Sequence, residues 1–224
     1  TVLVDYDSGN LHSAEKAFQR MAAQVGGGEV LVSSRAEDVA RAVEAAHRAF
    51  LGRDWSGLTA TARGKLLYRL ADLVQAAAPR LAALETRDTG KIIRETSAQI
   101  AYVAEYYRYY AGIADKIEGA HLPIDKPDML AMTLREPLGV VAAVVPWNSQ
   151  LFLVAVKIGP ALAAGNTVVL KASEHASAPM LEFAKLMEEA GFPPGVFNVV
   201  TGHGDPCGRV LTSHPLVQRI VQAY

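Results

Sequence analysis

Three short segments of this sequence carry residue types that could do chemistry. In Pro146-Trp147-Asn148 the asparagine amide could donate a hydrogen bond to a developing oxyanion while the tryptophan walls a pocket; a turn asparagine beside a packing tryptophan fits the same spacing. In Lys171-Ala172-Ser173-Glu174 an ammonium and a carboxylate three residues apart can both reach the ribose hydroxyls of a nucleotide, although such a pair next to a helix start is also ordinary surface chemistry. In Gly202-His203-Gly204-Asp205-Pro206-Cys207-Gly208 the glycines would let backbone approach a phosphate and leave free N–H groups at the following helix start. This pattern is one residue longer than the usual dinucleotide fingerprint, and Asp205 has to turn outward for a phosphate to bind.

Cys207 is the only cysteine, hence the only possible thiol nucleophile. A position near a helix start lowers a thiol pKa, and His203 and His214 lie close enough in sequence to act as base. A lone cysteine on a helix is more often a small buried hydrophobe, and that is the reading taken for Cys207. With one thiol and six scattered histidines, no metal site and no disulfide are expected, and the cysteine usage suits a reducing compartment.

The elements that must position these segments follow from periodicity. Val2-Leu3-Val4 and residues 29–33 read as strands around a helix at 12–24, a short βαβ-like opening. Long helices follow: Val39, Val43, Ala46 and Phe50 share one face, Thr59 or Thr61 caps the next helix with its stripe of Leu66, Leu67, Leu70, Leu73 and Val74, and Ile100, Val103, Tyr107, Tyr110 and Ile113 face one way in a third at 94–116. The run Tyr106, Tyr107, Tyr109, Tyr110 could stack on bases, but without a basic surplus it reads as packing. After a proline-marked linker the pattern alternates: strands at 139–145, 167–170 and 196–200, with helices at 151–163 and 178–190 between them. Such alternation implies a parallel sheet, which binds ligands at the carboxyl ends of its strands, where all three segments fall.

Composition bounds the function. Of 224 residues, 22 are basic and 23 acidic, a net charge of −1, so the chain is no electrostatic nucleic-acid binder. Half the residues are apolar and a fifth are charged, which supports a substantial core. The most apolar stretch, 138–147, is far shorter than the roughly 20 residues a spanning helix needs, so no membrane is expected. No secretory signal is visible either, and a cytoplasmic location is the expectation.

Taken together, several motifs resemble the NAD(P)-dependent aldehyde dehydrogenase family over residues 37–221: Val145-Pro146-Trp147-Asn148, the run from Lys157-Ile158-Gly159-Pro160 to Gly165-Asn166, Lys171-Ala172-Ser173-Glu174, and Gly191-Phe192-Pro193-Pro194-Gly195-Val196 leading into Asn198-Val199-Val200-Thr201-Gly202. The resemblance implies an α/β fold, a helical segment followed by a partial Rossmann-like parallel sheet, preceded by the short βαβ-like unit. It implies that Asn148 is the oxyanion-stabilising amide, that Trp147 lines the nicotinamide side, that Lys171 and Glu174 hold the adenine ribose, and that Gly204 and Gly208 lie along the pyrophosphate. Glu174 would sit poorly beside a 2′-phosphate, which favours NAD while leaving NADP open. The substrate implied is a small aldehyde, oxidised to the acid through attack of a cysteine thiolate and a glutamate-activated water. Lys157 stays open between a substrate-tunnel position and a helix-surface charge.

The chain also departs from that pattern. Cys207 does not match the family's catalytic cysteine, and the motifs of that cysteine and of the glutamate fall beyond Tyr224, so the expectation is a truncated form, inactive alone, whose exposed sheet edge favours a homo-oligomer. The start, with Val4-Asp5-Tyr6-Asp7-Ser8-Gly9-Asn10-Leu11, resembles the glutaminase subunit of imidazole glycerol phosphate synthase, without its nucleophile elbow. The expected division is therefore an amidotransferase-like 1–36 and a dehydrogenase-like 37–224, the latter made of helices 37–118, a linker 119–137 and a βαβ region 138–224. A glutamine amidotransferase and a non-catalytic nucleotide-binding or interaction fragment stand as the alternative functions.

Overall fold

The structure, a computed structural model, describes residues 2–3, 31–32 and 36–222. Two short strands, β1 (Val2–Leu3) and β2 (Leu31–Val32), pair in parallel, as the opening unit requires. The helix expected at 12–24 and the motif Val4 to Leu11 lie outside the described residues.

Helices α1 (Ala36–Leu51), α2 (Arg53–Ser56), α3 (Ala60–Thr89) and α4 (Ile93–Ile113) come next. The α1 stripe falls where the spacing puts it: Val39, Val43 and Ala46 are buried. Of the two threonines that could start α3, Thr59 does so, its Oγ1 accepting from the Ala62 N–H at 3.2 Å. Leu67, Leu70 and Val74 are buried along α3, with Leu66 and Leu73 half-buried at the edge of the stripe. The helix continues past Pro79 to an αL cap at Gly90 (φ +76°), a backbone conformation that favours glycine. Antiparallel α4 packs close enough that a side-chain carbon on Gly64 would stand 2.7 Å from the Ala111 carbonyl oxygen. Ile113 departs from its expected face and is exposed, because α4 gives way there to a 3₁₀ turn and Ala111 and Ala114 take over the buried positions. The linker 119–137 contains a two-residue antiparallel ribbon, β3 (His121–Leu122) with β4 (Ala131–Met132).

The remaining elements are β5 (Val140–Val144), α5 (Gln150–Ala163), β6 (Thr167–Ala172), α6 (Ala178–Ala190), β7 (Phe197–Thr201), an irregular π turn at Gly204–Gly208 in which Asp205 is extended, α7 (Arg209–Ser213) and β8 (Val217–Gln222). The four long strands form one parallel sheet in the order β7-β6-β5-β8. Its side chains alternate between two cores, the period of two that strands impose. Val141, Ala143, Val168, Leu170 and Val199 face α3 to α6, whereas Val140, Ala142, Val169 and Val200 face Val39 and Val43 of α1 and Leu211 of α7. The fold class is α/β with a parallel sheet covered by helices on both faces. Chain order reverses at β5: β6 and β7 build outward on one side and β8 returns to the other, which makes the carboxyl ends of these strands the expected ligand edge.

Candidate functional site

The register carries the three segments to one edge. Val144 stands opposite Lys171, and Ala172 opposite Thr201, so the Asn148 turn, the Lys171 segment and the Gly202 turn leave the sheet side by side. Two further bonds tie them at the edge: the Val145 N–H donates to the Lys171 carbonyl at 3.1 Å, and the Thr201 hydroxyl to the Ser173 carbonyl at 3.3 Å.

At the end of β6 the polar side chains hold one another. Lys171 Nζ donates to Glu174 Oε2 at 2.9 Å, both side chains being largely buried. The other oxygen of Glu174, Oε1, faces His203 Nδ1 at 3.5 Å and His175 Nε2 at 4.0 Å. Burial pushes the Glu174 carboxyl up, and the Lys171 ammonium and the residue's own backbone N–H more than offset this, leaving its pKa below the ordinary value. Periodicity did not foretell His203 as a neighbour of Glu174; the parallel register of β6 and β7 puts it there.

The glycine turn differs in part from expectation. A side-chain carbon on Gly204 would meet nothing within 4 Å, so packing does not require glycine there and the backbone stands open. The Gly208 N–H is not free, because it donates to the His203 carbonyl at 3.1 Å as the π turn closes. Asp205 turns outward: its side chain is 70% exposed and its carboxylate accepts from Arg209 at 2.9 Å. Cys207 points the other way, into the sheet's second core, at 1% exposure. Burial raises its thiol to about 11, a rise the Lys171 ammonium reduces only in part and Glu174 adds to. This is the buried small hydrophobe that the sequence reading takes Cys207 for, with desolvation the largest influence on its thiol.

The end of β5 is built differently. Trp147 is 48% exposed and Asn148 is exposed, its amide making no hydrogen bond to any described residue. Behind them Ser149 Oγ accepts from Lys91 Nζ at 2.7 Å, and the Leu151 N–H donates to Glu85 Oε2 at 3.2 Å. One turn along α3, Asp88 Oδ2 accepts from the Ala178 N–H at 3.0 Å, at the start of α6. Burial raises the carboxyl pKa of both Glu85 and Asp88. These residues lie some sixty to ninety positions from what they hold, and no local spacing announces them. Lys157 is no surface charge: it is buried, its Nζ reaches the Leu153 carbonyl at 3.3 Å, and desolvation lowers its pKa.

Among the described residues no group of histidine, cysteine and acidic side chains could hold a metal ion, and no helix is long and apolar enough to cross a membrane.

Comparisons with known proteins agree with this architecture. A (Z)-2-((N-methylformamido)methylene)-5-hydroxybutyrolactone dehydrogenase of Acinetobacter baylyi is 73% identical over 187 residues, and the pig mitochondrial aldehyde dehydrogenase 49% over 186. These alignments cover 84% and 82% of the chain but 38% and 36% of the relatives, so the chain spans less than two-fifths of the length of the curated proteins it matches. Among solved structures, a betaine aldehyde dehydrogenase from Staphylococcus aureus in complex with NAD+ superposes with a TM-score of 0.83 at 38% identity, covering 86% of this chain and 38% of that one. An NAD-dependent aldehyde dehydrogenase from Sinorhizobium meliloti gives 0.82 at 38% identity, with the same coverage. The model of the aldehyde dehydrogenase family matches residues 26–222. That match starts inside the segment 1–36 read as amidotransferase-like, and the comparisons give the glutaminase resemblance no support. The parallel sheet, its strand-end motifs and the match over residues 26–222 lead to one conclusion: this chain belongs to the aldehyde dehydrogenase family.

Proposed function

We propose that this chain supplies the cofactor-binding and oxyanion-stabilising side of an NAD-dependent oxidation of aldehydes. The observation that carries the reading is the meeting, at one sheet edge, of the Lys171–Glu174 pair, the open Gly204 backbone and the Asn148 turn. The residues fit a dinucleotide. Lys171 and Glu174 offer a donor and an acceptor to the two hydroxyls of a ribose, and Gly204 leaves room for a pyrophosphate at its backbone. Gly208 borders the same turn, its N–H already engaged. NAD, when bound, supplies the hydride acceptor. Trp147 offers an exposed ring beside the nicotinamide, and Asn148 an unengaged amide that can donate to the oxygen of a substrate carbonyl as negative charge builds on it. Glu174 disfavours a 2′-phosphate, so NAD binds more tightly than NADP.

Oxidation through a thioester needs a thiolate, and Cys207 does not provide it: the thiol is buried and its pKa stands at about 11. The 224 residues by themselves are therefore expected to bind NAD without oxidising aldehydes. The exposed apolar side chains of the ribbon region, among them Met129, Leu130 and Leu134, favour self-association.

Tryptophan fluorescence tests the reading directly, since Trp55 is buried and Trp147 exposed. NAD is expected to quench emission saturably, NADP more weakly, and Lys171→Ala to shift the curve to higher concentration. Absence of saturation, or an unchanged curve in Lys171→Ala, would sink the proposal.

A further inference from the structure

The first turn of α5 is capped in an unusual way. A serine at the N-cap ordinarily accepts from the N–H two or three residues on. Ser149 occupies that position and makes no such bond. Its hydroxyl is taken by Lys91 Nζ at 2.7 Å, and the Leu151 N–H it would serve goes to Glu85 Oε2 at 3.2 Å.

Both outside groups are themselves fixed. Lys91 Nζ also donates to Gln99 Oε1 at 2.6 Å and lies 3.4 Å from Glu95 Oε1, with its side chain 11% exposed. The Lys91 backbone N–H donates to Thr89 Oγ1 at 3.2 Å, and that hydroxyl donates to the Glu85 carbonyl at 2.6 Å. The αL cap at Gly90 thus joins the two groups into one bracket at the end of α3.

Burying a carboxylate costs free energy that a cap from Ser149 would avoid. What the exchange achieves is a fixed relation between the α3 end and the turn before α5. Asn148 sits directly before Ser149 and its amide has no partner among the described residues, so its direction depends on the backbone that this bracket grips. Groups that stabilise developing charge act only if their direction is set beforehand, by supporting contacts behind them.

We propose that Glu85 and Lys91 are positioning residues for Asn148, gripping the first turn of α5 through Leu151 and Ser149 so that the helical layer sets the direction of the amide. The inference rests on the oxyanion reading of Asn148 and adds the two residues that make it possible.

The test is ¹⁵N relaxation at the Asn148 and Ser149 amides of the full chain, without cofactor. In the parent both are expected near the rigid value of about 0.85, and in Lys91→Met and the milder Ser149→Ala below about 0.6. Lys91→Arg should restore rigidity, and NAD affinity, read at Lys171 and Glu174, should stay within twofold in all three variants. Order parameters unchanged in both Lys91→Met and Ser149→Ala, or already low in the parent, would overturn the inference. So would an equal loss of order throughout the sheet edge, which marks general destabilisation. Because the readout needs no turnover, failure of the bracket is distinct from failure of the oxyanion reading, which is judged by Asn148→Ala in aldehyde-oxidising enzyme.

Discussion

The ends of β5 and β6 lie side by side, yet they hold their polar groups by opposite means. At β6 the groups hold each other: Lys171 with Glu174, and Glu174 in turn against His203 and His175. At β5 the exposed Asn148 and Trp147 make no hydrogen bond from their side chains to any described residue, and the turn is held from behind, by Glu85 and Lys91 on the helical layer. The difference suits the proposed roles: a ribose brings hydroxyls that can take over the bonds of an ion pair, whereas an N–H that is to meet an oxyanion has to be left available, so that its direction is set from the backbone behind it.

The largest effect expected is on the β6 side. Lys171→Ala removes the proposed ribose donor and the partner of Glu174 Oε2, and charged hydrogen bonds of this kind are worth about 1.5–3 kcal/mol. Titration calorimetry with NAD should show affinity reduced roughly tenfold to a hundredfold. An unchanged affinity would erase the distinction between the two strand ends.

On the β5 side the largest loss is in stability. Glu85→Ala leaves the buried Leu151 N–H without an acceptor, costing about 1–3 kcal/mol, while Glu85→Gln keeps an acceptor oxygen and should cost less. Urea unfolding of the two variants measures this order directly, and Ala no worse than Gln would refute the bracket's hydrogen bond.

Acid titration sharpens the comparison further, because the two regions have opposite signs. Burial raises Glu85 and Asp88, so the folded chain takes up their protons before the unfolded one, and stability falls as pH climbs from their ordinary values, 4.5 and 3.8, through the raised ones. Glu174 is lowered, so its contribution is complete above its ordinary 4.5 and is lost as pH falls through the folded value. Replacing Glu85 by Gln should therefore flatten a decline in stability with rising pH, and replacing Glu174 by Gln should flatten a rise. Slopes changing in the same direction would contradict the assignment.

The smallest effect belongs to the outward side of the glycine turn. Arg209→Ala breaks an exposed pair with Asp205 and should change unfolding free energy by no more than about 0.5 kcal/mol, with NAD binding intact. Cys207, two residues from Asp205, should resist alkylation in the folded chain and react on unfolding, because burial and a pKa of about 11 leave little thiolate.

Much of the fold is legible in sequence because its signals are local. The apolar spacing of Val39 and Val43, the Thr59 cap and the valine-rich run at 140–144 each specify an element without reference to distant residues. The same holds for the strand-end segments at Asn148, Lys171 and Gly202, which the parallel register then brings together. What is not legible is long-range: that Glu85 on α3 caps α5, that Asp88 caps α6, and that Lys91 reaches Ser149. For Cys207 the reading as a small buried hydrophobe agrees with its place in the second core.

The central claim is that this sheet edge receives a dinucleotide lengthwise, from the β7 turn across β6 toward β5. A crystal structure of the chain grown with NAD tests it most directly. The account predicts the adenine ribose between Lys171 and Glu174, the pyrophosphate over Gly204, and the nicotinamide toward Trp147 and Asn148. A nucleotide bound away from Lys171 and Glu174, or no nucleotide at saturating NAD, would contradict it.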